Sequence, residues 1–361
     1  MATAQQETKF KQLALLSKQL DKAHTIEKMG RVITNSLVRL GDRPVLRVPC
    51  IDTGLPTLNY DVLQYGGVPR GRIVEMFGAE SAGKTTIALH IAAQEQTQNG
   101  VVAYIDAEHK LEPTYAQALG VNIDDLLFNQ PSSGEEALDS VDKLVESGCV
   151  SLIIIDSAAA LVPEAELAGD IGDQHMGLQS RMFSQALRVL TGKAARSKTT
   201  LIFINQIREK IGQMFGNPET TPGGRALKFY SSVRLSVSRK EPIWEGTKDN
   251  IVGHTMSLRC QKNGGGIPFR HTEVNLIYPG KGRTSGLDTT SDTISFAAGR
   301  GLLETTGSWY YIKKERVANG LDNLKKYLMS NEAALKTVQE MTAALVKKEQ
   351  ETCSESANEN L

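Results

Sequence analysis

Eight consecutive residues constrain this chain more than any other stretch. Gly78-Ala79-Glu80-Ser81-Ala82-Gly83-Lys84-Thr85 fits G-x-x-x-x-G-K-[ST], a phosphate-binding loop that works between an incoming strand and an outgoing helix. The β-rich run 72–77 precedes it, and a helix is predicted from near Thr86. Glycines let backbone N–H groups curl toward phosphate oxygens. The helix start adds its partial positive charge. In such a loop Lys84 reaches the β- and γ-phosphates and the Thr85 hydroxyl ligates Mg²⁺. The flanking context argues against a glycine loop that binds nothing.

The order of elements around the loop is that of an α/β fold. β-rich runs at 72–77, 101–106, 151–156, 200–205 and 232–238 alternate with helical stretches. Leu152-Ile153-Ile154-Ile155-Asp156 shows no polar alternation, the mark of a strand covered on both faces. Such alternation predicts a mainly parallel sheet.

Outside this core the pattern changes. Phe10, Leu13, Leu16, Leu20, Ala23, Ile26 and Met29 recur in steps of three and four, which predicts a helix over 8–29 stopped by Gly30. It either packs on its own domain or docks on a neighbouring subunit. Residues 168–176 and 208–224 are polar and Gly-rich without a period. The second stretch is long for a compact domain, so it is either functional or disordered. Residues 280–286 read as a linker. A small mixed segment follows, ending in a helix predicted over 321–348, and the last thirteen residues hold four Glu and no basic residue. They read as a solvated acidic tail.

Charge and cysteine usage exclude several classes. Lys+Arg and Asp+Glu both number 41, so the formal net charge of the 361 residues is zero. A globally basic nucleic-acid coat is excluded, and DNA or RNA binding requires a local patch. No apolar run reaches the roughly 18–20 residues of a membrane span. The start MATAQQETKF lacks a secretory pattern. Cys50, Cys149, Cys260 and Cys353 lie far apart with no C-x-x-C pair, which suits a reducing, cytoplasmic setting.

Three polar residues sit at strand ends. Asp156 closes its strand where a nucleotide site needs an acid for the Mg²⁺ water shell. Glu108 follows the strand at 101–106 and either polarises an attacking water or is a surface carboxylate. Gln206 follows the strand at 200–205. A neutral amide there can sense a γ-phosphate and signal to the long loop behind it, although spacing alone leaves that open.

Longer stretches carry a family likeness. GRIVEMFGAESAGKTT (71–86), YIDAEHKLEPTYAQALG (104–120), AGDIGDQHMGLQSRMFSQALRVL (168–190) and LIFINQIREKIGQMFGNPETTPGGRALKFYSSVRL (201–235) resemble the bacterial RecA strand-exchange recombinases. The resemblance implies a RecA-type P-loop ATPase core over 45–283 with two DNA-binding loops. It also implies an N-terminal helix-strand arm over 1–44, a small C-terminal α/β domain over 284–346 as a gateway for duplex DNA, and the tail over 347–361. It implies an ATP-dependent filament on single-stranded DNA that pairs and exchanges strands in recombination and repair. ATP and Mg²⁺ are the expected cofactors. The expected partners are single- and double-stranded DNA and further copies of the chain, with repressor, single-strand-binding and loader proteins as further candidates. No membrane partner is expected.

By position, the resemblance gives Gly78 through Thr86 and Asp156 to MgATP, with Thr85 and Asp156 at the metal. Glu108 becomes the activator of water, Gln206 the γ-phosphate sensor and Tyr115 the residue stacked on adenine. Glu112 stands where the family has an Asp near the adenine amino group, and Tyr278 joins the same site. Met176, Arg181, Arg188, Arg208, Ile211, Gly223 and Gly224 match positions near single-stranded DNA. Arg181 and Arg188 are seven apart, about two turns, so both can face one side of a helix. Met176 and Ile211 are apolar and suited to wedging between bases. Lys313, Lys314 and Arg316, beside Trp309, Tyr310 and Tyr311, form either the duplex gateway or a plain basic hairpin. Phe10, Leu13, Lys228, Phe229 and Arg234 match subunit-boundary positions.

One departure stands out. The common bacterial form has two lysines one residue apart facing the neighbouring ATP. Here Lys262 matches the first and Gly264 replaces the second. Lys262 is therefore expected to carry much of the trans-cation role, with Lys228 or a bound monovalent cation as helpers, unless the segment is only a glycine-rich turn. A hexameric helicase would bring a substantial extra domain, and a RadA-like ATPase a four-cysteine zinc motif and a protease-like domain. A small-molecule kinase would bring an arginine-bearing lid. A non-catalytic paralogue would not need Lys84, Thr85, Glu108 and Asp156 together.

Overall fold

The computed structural model describes residues 26–28, 31–33, 48–170, 177–209, 219–246, 250–280 and 285–355. The chain divides into two units, residues 1–47 with 347–361, and residues 48–346.

In the first unit Ile26–Lys28 pairs antiparallel with Arg31–Ile33. This corrects the helix expected over 8–29, whose last turn is a strand. Ile26, Val32 and Ile33 are β-branched and stiff at χ1, which favours a pleated strand over a helix. Phe10 and Leu13 lie outside the described residues.

The second unit is built on nine strands: β1 (Ile73–Gly78), β2 (Val102–Asp106), β3 (Leu126–Asn129), β4 (Leu152–Asp156), β5 (Thr200–Gln206), β6 (Val233–Trp244), β7 (Ile251–Asn263), β8 (His271–Ile277) and β9 (Gly286–Leu287). Their order across the sheet is β9-β8-β7-β6-β1-β5-β4-β2-β3. Neighbours from β6 to β3 pair parallel. Those from β6 to β9 pair antiparallel. β6 runs past the expected 238 because its second half pairs with β7 beyond the edge of the parallel region.

The apolar strands bury both faces. Along β4, Leu152 and Ile154 enter one core cluster while Ile153 and Ile155 enter the other. The two-residue period of a strand produces this split. Helix α1 (Lys84–Thr97) covers the first face with Ile87, Ala88 and Ile91. After a short helix α2 (Pro113–Ala118), α3 (Gly134–Ser147) covers the second with Leu138 and Val141. There it is joined by α4 (Leu178–Ser197), which contributes Phe183, Leu187 and Leu190. A short helix α5 (Ala226–Tyr230) leads into β6.

A smaller core lies C-terminal to β9. Helix α6 (Thr289–Gly299) precedes a three-stranded sheet of β10 (Glu304–Thr306), β11 (Trp309–Ile312) and β12 (Glu315–Asn319). Ile294, Leu303, Ile312, Leu324 and Val338 form its apolar centre. Instead of one helix over 321–348 there are two, α7 (Leu321–Ser330) and α8 (Glu332–Glu355). Asn331 is the reason: its side-chain oxygen accepts the N–H of Ala334 at 3.1 Å and caps the second helix. α8 continues past 347, so the expected tail boundary falls inside a helix. Of the linker expected over 280–286, residues 281–284 lie outside the described residues, while Gly286 is a strand residue of β9 paired with Ile277. Among the described residues no helix is long and apolar enough to cross a membrane.

Candidate active site and nucleic-acid interface

The C-terminal ends of β1, β2, β4 and β5 point to one side of the sheet, where parallel α/β folds place ligands. Gly78 ends β1 in register with Gln206 on β5. Asp106 ends β2 in register with Asp156 on β4. Four residues distant in sequence are thus brought to one sheet edge by pairing alone.

The loop 78–85 wraps this edge. Gly83 has φ +96°, a backbone conformation that favours glycine, and a Cβ there would meet the Met256 sulfur at 2.3 Å. It is the N-cap of α1 without any side-chain cap, leaving the first N–H groups of the helix for a ligand. Lys84 is buried and its Nζ donates to the carbonyls of Ala79 at 2.6 Å and Gly78 at 3.1 Å. Burial pulls its pKa down, opposed by Asp156, Glu108 and Glu80.

Thr85 Oγ1 donates to Asp156 Oδ2 at 2.7 Å, and Tyr104 Oη donates to the same oxygen at 2.8 Å. Burial raises the Asp156 carboxyl, while those two bonds lower it. Two hard oxygen donors beside a triphosphate loop fit Mg²⁺ with water and phosphate completing its shell.

Glu108 is held by its loop. Asp106 Oδ1 accepts the N–H of Lys110, and Oδ2 accepts the N–H of Leu111 and the Gln130 amide, each between 3.1 and 3.2 Å. The Glu108 carboxylate accepts Ser157 Oγ at 2.5 Å, Gln206 Nε2 at 2.9 Å and Lys110 Nζ at 3.1 Å. Burial pushes this acid up, but the bonds from Ser157, Lys110 and Gln206 outweigh it and hold it below the ordinary carboxylate value. Asp106, Ser157 and Tyr104 were missed by sequence reasoning, although Asp106 closes a strand as visibly as Asp156 does.

Beside the loop is a cleft of about 360 Å³ lined by Ser81, Lys84, Thr86, Tyr115, His254 and Tyr278, among others. Tyr115 Oη pairs with Thr86 Oγ1 at 2.8 Å. Glu112 stays apart from this lining. It is exposed, precedes α2 as its N-cap and accepts Thr114 Oγ1 at 3.0 Å.

The strand that ends at Gln206 runs straight into the long Gly-rich loop. The two ends of that loop pair, Arg208 with Thr220 and Glu209 with Glu219. Ile211 lies outside the described residues, as does Met176. At the loop's return, Gly224 has φ +71°, and a Cβ there would meet Ser180 Oγ of α4 at 2.5 Å. Gly223 N–H donates to Gln179 Oε1 at 3.1 Å, and Gln179 Nε2 donates to Leu161 O at 3.0 Å. The return of this loop therefore packs on the start of α4. Arg181 and Arg188, two turns apart, line one groove with Ser180, Ser184 and Gln185.

Beneath them lies a buried network that sequence reasoning did not find. Asn205 Nδ2 donates to Glu75 Oε1 at 3.1 Å and to Pro222 O at 3.2 Å, and its Oδ1 accepts the Gln206 N–H at 3.0 Å. Glu75 Oε2 accepts Arg234 Nε at 2.5 Å, and the Arg234 guanidinium lies 4.4 Å over the Phe77 ring. Arg234, expected at a subunit boundary, thus has a partner in its own chain.

Lys262 likewise has partners in its own chain. Its Nζ donates to the carbonyls of Lys228 at 3.0 Å and Phe229 at 2.9 Å, capping the end of α5. Burial and Arg234 lower its pKa, with Glu75 opposing. Gly264 lies past the end of β7 and its N–H bonds Ser232 O at 2.8 Å. The strand itself ends one residue earlier, at Asn263. Phe229 is 71% exposed. Lys313 and Lys314, both exposed with φ +50° and +71°, form the turn between β11 and β12, and Arg316 stacks 4.2 Å over Trp309.

Comparison with known proteins agrees with this geometry. Residues 18–283 match the RecA N-terminal domain and 291–347 the RecA C-terminal domain. A protein named RecA from Lactiplantibacillus pentosus is 50% identical over 293 residues, 81% of this chain and 75% of the relative. Its namesakes from Bacillus pumilus and Bacillus subtilis are 49% and 48% identical over 305 residues, 84% of this chain and 86% and 85% of theirs. With the phosphate loop, the strand-end acids and Gln206 gathered at one sheet edge, and both domain models matched in order, the chain belongs to the RecA family.

Proposed function

We propose that ATP lies with its phosphates on loop 78–85, and that Gln206 relays the state of the γ-phosphate to single-stranded DNA held by the loops at 168–176 and 207–224. Family membership makes the chain a DNA-dependent ATPase that drives strand exchange in recombination and repair, with DNA binding and filament formation as its general properties.

The observation that carries the residue-level reading is the hydrogen bond between Gln206 Nε2 and Glu108 Oε1 at 2.9 Å. It joins the acid that activates water to the amide that heads the DNA loop. Glu108, ionised near neutrality, takes the proton of the attacking water. Lys84 exchanges the carbonyls of Gly78 and Ala79 for phosphate oxygens. Thr85 and Asp156 would hold Mg²⁺, whose charge neutralises the phosphates. A water or γ-phosphate that competes for Gln206 weakens its bond to Glu108 and moves the strand end that leads to Arg208. Arg181 and Arg188 then supply phosphate contacts, with backbone N–H groups at Gly223 and Gly224.

Lys262 fixes α5, which presents Lys228 and Phe229 to a neighbouring subunit. In a trans role it exchanges two carbonyls for phosphate. The hairpin Lys313, Lys314 and Arg316 is proposed for duplex DNA. Repressor, single-strand-binding and loader proteins are proposed as partners, and the cytoplasm as the location.

The test is Glu108→Gln in the full chain. DNA-stimulated hydrolysis should fall by ~10²-fold or more, the scale of a lost general base, with nucleotide binding retained. Near-normal hydrolysis would remove Glu108 from this role.

A further inference from the structure

Two aromatic rings, Tyr115 and Tyr278, line the cleft beside the phosphate loop. Both hydroxyls are hydrogen-bonded within the protein, which fixes how each ring borders the cleft. Tyr115 Oη is tied to Thr86. Tyr278 Oη is tied to Nδ1 of His254 at 2.8 Å, with the two rings 5.6 Å apart and tilted by 55°.

His254 lies on β7, lines the same cleft and is 1% exposed. Its Nε2 is buried without a hydrogen bond of good geometry, and its nearest partner is the Ala82 backbone of the phosphate loop. A buried polar nitrogen without a partner is rare and costs free energy until something satisfies it. Burial and Arg239 hold the imidazole below its ordinary value, so it is neutral near pH 7. A neutral ring that accepts the Tyr278 O–H at Nδ1 carries its proton on Nε2. In that tautomer Nε2 is a donor that faces the Ala82 backbone of the phosphate loop.

We propose that His254 is a positioning residue for nucleotide binding: it accepts the Tyr278 hydroxyl and holds that ring, with Tyr115, as part of a slot for the nucleotide base. This rests on the assignment of ATP to the loop. Aromatic rings recognise a planar base through its faces. Freezing a ring before binding lowers the ordering cost of the complex.

The test compares His254→Leu, His254→Asn, Tyr278→Phe and the double variant His254→Leu/Tyr278→Phe in DNA-stimulated ATP hydrolysis by the full chain. His254→Leu and Tyr278→Phe should each raise KM for ATP about fivefold, the size of one net hydrogen bond, with kcat within about twofold. His254→Asn, whose side-chain oxygen replaces Nδ1 as acceptor, should restore most of the loss. The double variant should resemble either single one, because both remove the same bond. Affinity for inorganic tripolyphosphate, which has no base, should not change in any variant.

An unchanged KM in Tyr278→Phe, additive effects in the double variant, or equal losses for tripolyphosphate would overturn the proposal. If His254→Leu does not fold, Tyr278→Phe and His254→Asn decide it alone. If the unaltered chain binds ATP no more tightly than tripolyphosphate, the nucleotide assignment itself falls.

Discussion

Glu75 has no exposed surface, yet it carries a carboxylate in the middle of an apolar strand. Arg234 and Asn205 are its two partners. Breaking such a pair from one side leaves a buried charge, whereas replacing both sides is far milder. Arg234→Leu is therefore expected to lower stability by about 3–5 kcal/mol, and adding Glu75→Gln should recover a large part of it. Urea unfolding of both variants checks this; equal midpoints would show that the pair contributes nothing distinctive. A single acid inside Val74-Glu75-Met76-Phe77 is the one signal by which sequence alone could have flagged the network. Its partners are 130 and 159 residues away, so no local pattern names them. His254 escaped for the same reason.

At the level of elements, legibility follows burial. β1, β2, β4 and β5 are apolar on both faces and stood out, and the loop after β1 announced its own context. β7 and β8 carry polar residues between buried ones and gave no continuous run, so the antiparallel part of the sheet was not anticipated. The helical spacing up to Met29 hid a strand at Ile26–Lys28, and one capping asparagine split the last helix. The attachment of α6 was equally hidden. Asp292 is buried and accepts both the N–H and the hydroxyl of Thr57, beside an ion pair of Arg300 with Asp61. Burial raises Asp292 to about 6, with Asp61 adding to it and the Thr57 bonds and Lys325 opposing. The folded state thus binds this proton more tightly than the unfolded one. Its contribution to stability is present at low pH and lost as pH rises through about 6. Asp292→Asn should flatten the stability profile between about pH 4 and 6 relative to the unaltered chain. Thermal unfolding across that window checks it, and parallel profiles would contradict it.

For the whole molecule, zero net charge confines DNA binding to built patches. Affinity for single strands should fall steeply with salt and vary little with sequence, since phosphate contacts dominate. Removing one such contact with Arg181→Ala should reduce the slope of log affinity against log salt by about 0.7. An unchanged slope would take Arg181 off the DNA. Electron microscopy with single-stranded DNA and a non-hydrolysable ATP analogue should show helical filaments that require both ligands. The central claim is that one hydrogen-bonded unit, Glu108 with Gln206, couples nucleotide to DNA. The most direct measurement is single-stranded DNA affinity with and without the analogue, in the unaltered chain and in Gln206→Ala. The account predicts that the analogue tightens DNA binding in the unaltered chain. In Gln206→Ala it should still bind but no longer tighten it, and DNA should equally cease to tighten the analogue. Undiminished mutual enhancement in Gln206→Ala would contradict it.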